Sequence, residues 1–386
     1  MNIGFDAKRA FHNNTGLGNY SRTLLEGLAR YFPEHQYYLF NPKSSEKYPG
    51  PDFKNVHEVL PSGFVSKKLS SLWRSNWVKS DLKKLNIGLY HGLSHEIPMG
   101  IQNTGIPSIV TIHDLIFERY PKQFKKIDVQ IYRKKFRNAC LNANRIIAIS
   151  GQTKQDIIDL YGIDEEKIEI CYQSCNPAFG VVIEVEVKEE VRNRYQLPKE
   201  FFLYVGSIIE RKNLLNICKA ILLLPADLNI PLVVIGDGAS YKKLVQEFIV
   251  QNDLQDKLIF LTDSPAVKND ANFQNPKTFA AIYQMAIAMI YPSFFEGFGL
   301  PVLEALWSKL PVITSNVSCL PETGGNAAYY IDPAKPEQIA EGIQRIYREE
   351  NLRTDMRLKG WQYAQNFSLE KCTTTVMDVY KRVAHV

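Results

Sequence analysis

One stretch decides the fold of this chain: Glu296-Gly297-Phe298-Gly299-Leu300-Pro301-Val302-Leu303-Glu304. It follows a buried-strand pattern, Ala288–Ser293, and it opens a helix, because proline suits a first helical turn, where its missing N–H costs nothing. The glycines let backbone amides approach a ligand at the positive end of that helix. One carboxylate then lies on the loop and the other about one turn inside the helix, both beside an anion site. Such a site suits a ligand with hydroxyl groups on both sides of a diphosphate, and a nucleotide sugar is such a ligand.

The two glutamates and the glycine-proline segment between them resemble the motif of the retaining family-4 glycosyltransferases, which have the two-Rossmann-domain GT-B fold. The resemblance extends from Asn2 to about Tyr380. A bare pair of glutamates at this spacing is a weak signal, because ordinary helix faces supply many such pairs. The complete string after a strand is specific, and it implies an enzyme that transfers a hexose from a nucleotide sugar.

The composition of the 386 residues is ordinary for a soluble globular protein, with 45% apolar and 23% charged residues. A chain of this length predicts two domains, because single hydrophobic cores stop growing well below it. No apolar run reaches the roughly 18 to 20 residues that span a bilayer. A strand pattern begins at Asn2 with no signal peptide before it. We therefore expect a cytoplasmic protein whose scattered cysteines are reduced.

Strand and helix patterns alternate along the first half of the chain, which implies a parallel sheet covered on both faces. The predicted strands are Asn2–Asp6, Gln36–Asn41, Ile87–His91, Ser108–His113, Arg145–Ser150 and Lys167–Tyr172. The predicted helices are Tyr20–Arg30, Lys67–Lys84, Phe124–Asn142 and Thr153–Tyr161.

The alternation resumes after a polar, acidic segment, so the predicted domains are residues 1–175 and 199–366, joined by a linker at 176–198. A final helix in residues 367–386 begins after an N-cap serine. The resemblance implies that both domains are Rossmann-like and doubly wound, facing each other across a cleft. It also implies that the first domain binds the acceptor, that the second binds the nucleotide sugar, and that the last helix crosses back to the first.

A basic pair, Arg211 and Lys212, follows the predicted strand Phe201–Val205 and the turn Gly206–Ser207. Each charge is worth roughly 4 kcal/mol against an oxyanion at about 4 Å and an effective dielectric near 20. Alone, such a pair is most often exposed to solvent. In register with the glutamate motif, it resembles the family's diphosphate-binding pair.

Glycines also lie between the first strand and the first helix, in Gly16-Leu17-Gly18-Asn19-Tyr20. Their N–H groups can approach a phosphate or a sugar at the helix start. The segment is not a dinucleotide fingerprint, because Ser21 replaces the third glycine. The resemblance places the glycines against the diphosphate and Tyr20 on the acceptor side.

His113-Asp114 ends the predicted strand that begins at Ser108. A histidine there can bind the donor sugar, as the resemblance implies, or it can be structural. The aspartate would orient the imidazole or contact acceptor hydroxyls. For His91 and His95, near the same sheet edge, we favour structural roles.

The two glutamates of the motif take different roles by resemblance. Glu304 would accept two hydrogen bonds from the ribose diol, and Glu296 would bind hydroxyls of the donor sugar. The resemblance argues against a covalent nucleophile, because family members are thought to use same-face attack with the leaving phosphate as base. No Asp-x-Asp occurs in the sequence, so we expect no metal and no cofactor apart from the nucleotide sugar.

These assignments define a candidate site. The catalytic residues are His113, Glu296, Arg211 and Lys212. The donor-binding residues are Gly16, Gly18, Gly206, Ser207, Arg211, Lys212, Glu296, Gly297, Phe298, Gly299, Leu300 and Glu304. The acceptor-side residues are Tyr20 and Asp114.

Two basic segments, Lys67–Lys84 and Lys122–Arg137, mix lysine and arginine with aromatic residues at near-helical spacing. They indicate either amphipathic helices with their aromatic faces packed inward, or peripheral contact with an anionic membrane. Nothing resembles a nucleic-acid-binding module, and the net charge of +5 is modest.

The sequence therefore predicts a retaining, metal-independent hexosyltransferase that acts on a glycan or lipid-linked glycan in surface polysaccharide biosynthesis. GDP-mannose is the favoured donor by resemblance to bacterial mannosyltransferases, and UDP-sugars stay open. The alternatives are a non-catalytic nucleotide-sugar-binding subunit and a nucleotide-sugar epimerase on the same fold.

Overall fold

The computed structural model describes residues 1–13, 15–45, 48, 50 and 52–385. They form two compact units. Unit 1 comprises Met1–Cys175 and Phe367–Val386, and unit 2 comprises Asn176–Asn366. The last residue of the predicted crossover segment, Val386, lies outside the described residues.

Parallel strands form the sheet of unit 1: β1 (Asn2–Asp6), β2 (Gln36–Phe40), β3 (Val56–Val59), β4 (Leu89–Gly92), β5 (Ser108–Ile112), β6 (Arg145–Ala148) and β7 (Ile168–Ile170). Their order is β3-β2-β1-β4-β5-β6-β7, so the direction of winding reverses between β1 and β4. In open α/β sheets, ligands bind outside the carboxyl ends of the strands at such a reversal.

The helices of unit 1 cover both faces of its sheet. They are α1 (Lys8–His12), α2 (Gly16–Tyr31), α3 (Phe64–Lys68), α4 (Ser70–Leu72), α5 (Val78–Lys84), α6 (Ile116–Arg119), α7 (Lys126–Asn142), α8 (Gly151–Tyr161) and, at the end of the chain, α18 (Leu369–Ala384). A π-helical turn, Trp73–Trp77, joins α4 to α5, and short 3-10 turns occupy Ile101–Asn103, Pro121–Gln123 and Glu165–Lys167.

Alternate strand residues of unit 1 pack into two different cores, because successive side chains of a strand point to opposite faces. Ile3, Leu89 and Ile109 pack with residues of α2 and α18. Tyr90 and Val110 pack on the other face, with residues of α5 and α7. The C-terminal helix therefore supplies part of a core that the N-terminal residues begin.

The sheet of unit 2 consists of β8 (Phe202–Val205), β9 (Leu232–Ile235), β10 (Leu258–Phe260), β11 (Met289–Tyr291), β12 (Val312–Ser315) and β13 (Tyr329–Ile331). Its order is β10-β9-β8-β11-β12-β13, with every pair parallel. The reversal therefore lies between β8 and β11, as it lies between β1 and β4 in unit 1.

The helices of unit 2 are α9 (Val185–Tyr195), α10 (Leu214–Leu222), α11 (Ser240–Gln251), α12 (Pro265–Lys268), α13 (Pro276–Met285), α14 (Leu300–Trp307), α15 (Leu320–Gly324), α16 (Pro336–Arg348) and α17 (Glu350–Ala364). Short 3-10 turns occupy Pro177–Gly180, Glu210–Lys212, Gln255–Lys257, Leu261–Asp263 and Gln365–Phe367.

The stretch predicted as a linker contains helix α9. Its Val191 and Tyr195 are buried, and the Tyr195 ring lies 5.1 Å from that of Phe273 in unit 2. The polar composition of the stretch concealed this helix, since only a few of its residues pack inward. Strands β3 and β13 were also missed, because they are short edge strands with mostly half-exposed side chains.

The first basic segment is not the single helix that its periodicity predicted. It is divided among α3, α4, the π turn and α5. In the π turn, Trp73 is buried and its Nε1 donates to Asp81 Oδ2 at 2.7 Å. The neighbouring Arg74 donates to the buried Asp6 carboxylate at 2.6 Å. Such turns change the helical register locally, and here both side chains reach buried partners.

A helix can cross a membrane only if it is long enough and apolar enough. Within the part of the chain that the structure describes, no helix combines the length and apolar character needed to cross a bilayer.

The core contribution of α18 can be tested at Tyr380, which is fully buried. Its Oη bonds to His91 Nδ1 at 2.5 Å, and its ring lies 6.3 Å from that of Phe5. We expect Tyr380→Ala to lower the free energy of unfolding by about 3–5 kcal/mol, the usual cost of truncating a buried aromatic side chain. Thr374→Ala, at an exposed position of α18, is the control. Equal denaturant midpoints for both variants, measured by circular dichroism, would contradict this role.

Candidate active site

The carboxyl ends of two neighbouring strands in unit 2 bring the predicted cations and acids together. The turn Glu210–Lys212 follows β8, and the loop with Glu296 follows β11. Because β8 and β11 are adjacent where the strand order reverses, both loops leave the sheet at one edge.

Glu296 is only 8% exposed, and its polar contacts converge on one oxygen, Oε1. Oε1 lies 3.0 Å from Arg211 Nη1 and 3.5 Å from Lys212 Nζ. It also accepts 2.9 Å hydrogen bonds from Tyr291 Oη and Ser293 Oγ. No residue that the structure describes bonds to Oε2, so this oxygen is available to a ligand.

The Glu296 carboxyl group is ionised at neutral pH. Burial by itself raises the pKa of Glu296, but the charges of Lys212 and Arg211 and two hydroxyl donors lower it to about 2. A buried carboxylate is stable only where such partners replace its lost water. The site therefore contains a fixed negative charge between two fixed positive charges.

Tyr291 connects Lys212 to Glu296. Lys212 Nζ donates to Tyr291 Oη at 2.9 Å, and that hydroxyl in turn donates to Glu296. Gly206 leaves room for the lysine, because a Cβ there would lie 2.9 Å from Nζ. The φ of 150° at Gly206 is also one that other residues rarely adopt. The lysine is thus held by both neighbouring strand ends.

Arg211 is 7% exposed, and its Nη1 also donates to the backbone carbonyl of Phe295. This second contact ties the guanidinium to the same loop that presents Glu296. The orientation of the cation and that of the acid are therefore set together.

A third strand end holds the Glu296 backbone. Ser318, which follows β12, accepts from Glu296 N–H at 3.1 Å and donates to the Glu296 carbonyl at 2.8 Å. Cys319 Sγ donates to the same carbonyl at 3.1 Å. Ser318 has a left-handed φ of 61°, which its double contact maintains.

Sequence reasoning missed four supports of Glu296: Tyr291, Ser293, Ser318 and Cys319. The first two lie at the carboxyl end of a strand that the sequence did predict, and that position was a usable signal. Ser318 is 22 residues from Glu296, and no local pattern marks it. Only the pairing of β11 with β12 brings it near.

The second acid of the motif, Glu304, lies in α14. The helix starts after Gly299, whose φ of 96° suits glycine, and Pro301 is in its first turn. Glu304 Oε2 accepts a 2.8 Å hydrogen bond from Tyr283 Oη. Burial raises the pKa of Glu304 to about 7, although this hydrogen bond and the charge of Lys212 oppose the rise. The two glutamates therefore differ widely in acidity.

The remaining predicted donor residues of unit 2 differ in exposure. Ser207 is exposed and Leu300 is half-buried, whereas Gly297 is buried. The Phe298 ring is 2% exposed, and its backbone carbonyl accepts from Thr323 Oγ1. The buried ring is closed to a ligand, so the predicted donor contact at Phe298 would fall on its backbone.

In unit 1, His113 follows β5 and is 4% exposed. Its Nε2 donates to the Leu93 carbonyl at 2.9 Å, which leaves Nδ1 as the acceptor. Burial, together with the charge of Arg9, lowers the pKa of His113 to about 4 against the effect of the Leu93 hydrogen bond. The imidazole is therefore neutral at pH 7.

Tyr20 supports this histidine from α2. Its ring meets the His113 ring edge-on at 4.6 Å, and its Oη bonds to Thr111 Oγ1 at 3.0 Å. At 4% exposure, Tyr20 is a packing partner of His113, and its acceptor contact stays a prediction. Asp114 Oδ1 accepts from the Ile116 N–H at 3.0 Å, which stabilises the turn after β5.

The prediction that Gly16 and Gly18 lie between the first strand and the first helix is wrong. They form the first turn of α2, which begins at Gly16 instead of Tyr20. The Gly18 N–H donates to Asn13 Oδ1 at 3.1 Å, so this amide already has a partner.

Acids, histidines and cysteines are the side chains that could hold a metal ion. The described ranges contain no group of three such residues placed to hold a metal ion.

Two family models match the chain. Residues 14–179 match Glycosyltransferase Family 4, and residues 187–362 match Glycosyl transferases group 1. The chain therefore combines a Glycosyltransferase Family 4 domain with a Glycosyl transferases group 1 domain. Together, the two matches include all the predicted site residues.

Individual proteins show how far the similarity of this glycosyltransferase extends. O-antigen chain mannosyltransferase B of Escherichia coli is 26% identical, over 99% of this chain and 100% of that protein. O-antigen chain mannosyltransferase RfbU of Salmonella typhimurium is 28% identical, over 65% of this chain and 63% of RfbU. The crystal structure of Anabaena Alr3699/HepE with UDP and glucose matches with a TM-score of 0.71 at 14% identity, over 99% and 100% of the two chains.

The similarity to solved glycosyltransferase structures confirms the predicted fold class. The glycosyltransferase has two doubly wound α/β units of the GT-B kind, and its C-terminal helix belongs to the first unit. The family matches also confirm that the chain is a glycosyltransferase enzyme.

The raised pKa of Glu304 predicts a pH-dependent stability. Its folded pKa of about 7 exceeds the ordinary value of 4.5, so the stability present at low pH is lost as the pH rises through 7. We expect Glu304→Gln to remove this loss. The thermal midpoint of the variant, relative to that of the wild type, should therefore rise between pH 5 and pH 8. Glu337→Gln, an exposed carboxyl on α16, is the control. Parallel midpoint curves for wild type and Glu304→Gln would show that burial does not perturb this group.

Proposed function

We propose that this glycosyltransferase transfers mannose, with retention of anomeric configuration, from GDP-mannose to a glycan or lipid-linked glycan of a surface polysaccharide. The observation that carries the proposal is the ionised, buried carboxylate of Glu296 beside Arg211 and Lys212. This arrangement offers two cations to a diphosphate and one free carboxylate oxygen to a sugar.

The cations serve the leaving group. Negative charge grows on the nucleoside diphosphate as its bond to the sugar breaks, and prepositioned cations stabilise that charge. Arg211 offers a planar fork and Lys212 a point charge, so they suit two different phosphates. In the structure their shared partner is Glu296 Oε1, which keeps both oriented before the donor arrives.

Glu296 serves the sugar. Its Oε2 can accept hydrogen bonds from donor hydroxyl groups while Oε1 stays bound to its protein partners. The pairing with two cations makes the carboxylate a poor nucleophile. We therefore favour attack by the acceptor on the face of the leaving phosphate, with that phosphate as base.

Glu304 and His113 complete the proposed donor contacts. An ionised Glu304 would accept hydrogen bonds from both ribose hydroxyls, so nucleotide binding would strengthen as the pH rises through 7. His113 would accept a sugar hydroxyl at Nδ1, for which the described residues provide no partner.

The choice of donor rests on the relatives. Two of them are named O-antigen chain mannosyltransferases, which supports mannose and polysaccharide synthesis. The Anabaena structure contains UDP and glucose, so a UDP-sugar is the second candidate donor.

The test combines nucleotide binding with turnover. We expect GDP to raise the thermal midpoint more than UDP or ADP does. We expect Arg211→Ala to lower kcat for transfer from GDP-mannose to a mannose-terminated alkyl glycoside by about 10²–10³, the usual loss when one oxyanion contact is removed. Lys219→Ala, an exposed cation on α10, is the control, and NMR of the product gives its anomeric configuration.

The other outcomes separate the alternatives. No midpoint shift with any nucleotide would sink the transferase proposal, and a shift with UDP alone would replace the donor. Nucleotide binding without turnover would favour a binding subunit, and conversion of the sugar nucleotide without an acceptor would favour an epimerase. Inversion at the anomeric carbon would exclude retention.

We also propose that unit 1 contacts an anionic membrane surface. Large apolar side chains on α3, on α4 and at the residue between them are exposed: Phe64 by 82%, Val65 by 59%, Leu69 by 43% and Leu72 by 48%. Lysines on the same segment would attract anionic lipid at about 1 kcal/mol each. Such a combination suits a helix lying in the lipid headgroup region.

The second basic segment reinforces this surface. At the start of α7, Ile127 is 63% exposed and Ile131 is 44% exposed. Glu96 bonds to Arg74 of the first segment at 3.2 Å and to Lys135 of the second at 3.1 Å. The two segments therefore meet on one side of unit 1.

Vesicle sedimentation tests the membrane contact. We expect Phe64→Ser/Leu69→Ser to weaken binding to phosphatidylglycerol-containing vesicles by at least about tenfold, because burying each side chain is worth roughly 1.5–3 kcal/mol. Val250→Ser/Leu358→Ser removes two exposed apolar residues of unit 2 as the control. Equal binding by both double variants, or equal binding of the wild type to neutral vesicles, would exclude this surface.

A further inference from the structure

The strand order of unit 1 reverses between β1 and β4, which is the position equivalent to the β8–β11 reversal of unit 2. In unit 2 the loops at this point carry Arg211 and Lys212. In unit 1 the residues that follow β1 include Lys8 and Arg9. Both units thus place two consecutive cations at the edge where open α/β sheets bind ligands.

The same edge of unit 1 carries an ion-pair network centred on Arg74. Its guanidinium donates to Asp6 Oδ2 at 2.6 Å and to Glu96 Oε2 at 3.2 Å. Lys135 Nζ reaches the same Glu96 oxygen at 3.1 Å. Asp6 and Glu96 are therefore already neutralised by other cations.

Lys8 and Arg9 have no such partner. Both side chains are half-buried, and within the described ranges neither charged group forms an ion pair or hydrogen bond. The charges of Arg74 and Arg9 lower the pKa of Lys8, and those of Glu96 and Asp6 raise it. Lys8 therefore belongs to the same cluster. The cluster contains two more cations than carboxylates, and an excess of half-buried positive charge is unfavourable without an anion.

Ser94 supplies an independent indication of a ligand at this edge. It follows β4, is 4% exposed, and its Oγ has no hydrogen-bond partner among the residues that the structure describes. A buried hydroxyl without a partner costs free energy, and a bound anion would remove that cost. His113 is nearby, since its Nε2 donates to the carbonyl of Leu93, the residue before Ser94.

We propose that Lys8, Arg9 and Ser94 bind the phosphate groups of a lipid diphosphate that carries the acceptor glycan. This inference rests on the proposed glycosyltransferase function, which it deepens by naming the acceptor class. The position of Arg74 indicates that the anion belongs to a lipid. Arg74 lies in the turn that directly follows α3 and α4, whose apolar side chains are exposed. A lipid diphosphate has an anionic head that the cations would bind and an apolar chain that the exposed apolar side chains would contact.

Isothermal titration of octyl diphosphate into the full-length protein saturated with GDP tests this site. Saturation with GDP occupies the nucleotide site beforehand. We expect the wild type to bind octyl diphosphate more tightly than inorganic diphosphate, and Lys8→Gln/Arg9→Gln to weaken the binding at least about tenfold. Ser94→Ala, Lys8→Gln and Arg9→Gln perturb the fold less than the double variant does, and each should weaken the binding of octyl diphosphate several-fold. Lys199→Gln/Lys219→Gln removes two exposed charges of unit 2 as the control and should bind as the wild type does.

Each contrary outcome has a separate meaning. Unchanged affinity of the Lys8→Gln/Arg9→Gln protein for octyl diphosphate overturns the site. Equal affinity of the wild type for inorganic and octyl diphosphate overturns the lipid source, and weaker GDP binding in the same variant assigns the cations to the donor. GDP titrations of the wild type keep the two proposals apart. Failure to bind GDP defeats the proposed function, whereas normal GDP binding without octyl diphosphate binding defeats only this inference.

Discussion

The buried negative charge of Glu296 is the constraint on which the candidate site of unit 2 depends. Removing a carboxylate from water costs several kcal/mol unless partners replace the water. Here the partners come from three strand ends: cations after β8, hydroxyls at the end of β11 and a backbone clamp after β12. The charge can be buried only if these strands are neighbours in the sheet. The chemistry of this site therefore requires the strand order of unit 2.

Unit 1 uses the same topology with a different balance of charge. In unit 2 the cations at the reversal share a resident carboxylate, and they are oriented without a ligand. In unit 1 the resident carboxylates are neutralised by Arg74 and Lys135, so Lys8 and Arg9 stay uncompensated. His113 lies near this excess of positive charge. Its imidazole is neutral, because burial and the charge of Arg9 both disfavour its protonation. The two cations of unit 2 are thus held by a resident carboxylate, whereas Lys8 and Arg9 of unit 1 have no ion-pair partner among the described residues.

Much of this architecture could be predicted from local patterns. The alternation of apolar strands and helices indicated two parallel-sheet domains, and the string from Glu296 to Glu304 indicated the strand, loop and helix around the motif. Local patterns failed where burial depends on distant residues. The π turn at Trp73 forms because Asp81 and Asp6 receive its side chains, and α9 packs on Phe273 through only a few residues. The edge strands β3 and β13 bury too little to leave an apolar signal.

The sequence by itself determined the fold class, the position of both glutamates and the cation pair after β8, because each depends on residues close together in the chain. Tertiary structure alone decided how these groups behave. The two glutamates have the same side chain, yet one is held ionised by two cations and the other is held near neutrality by burial. Likewise, Ser318 and Tyr380 acquire their roles only through strand pairing and helix packing. Electrostatic character depends on neighbours in space, and the spacing of residues in a sequence does not contain that information.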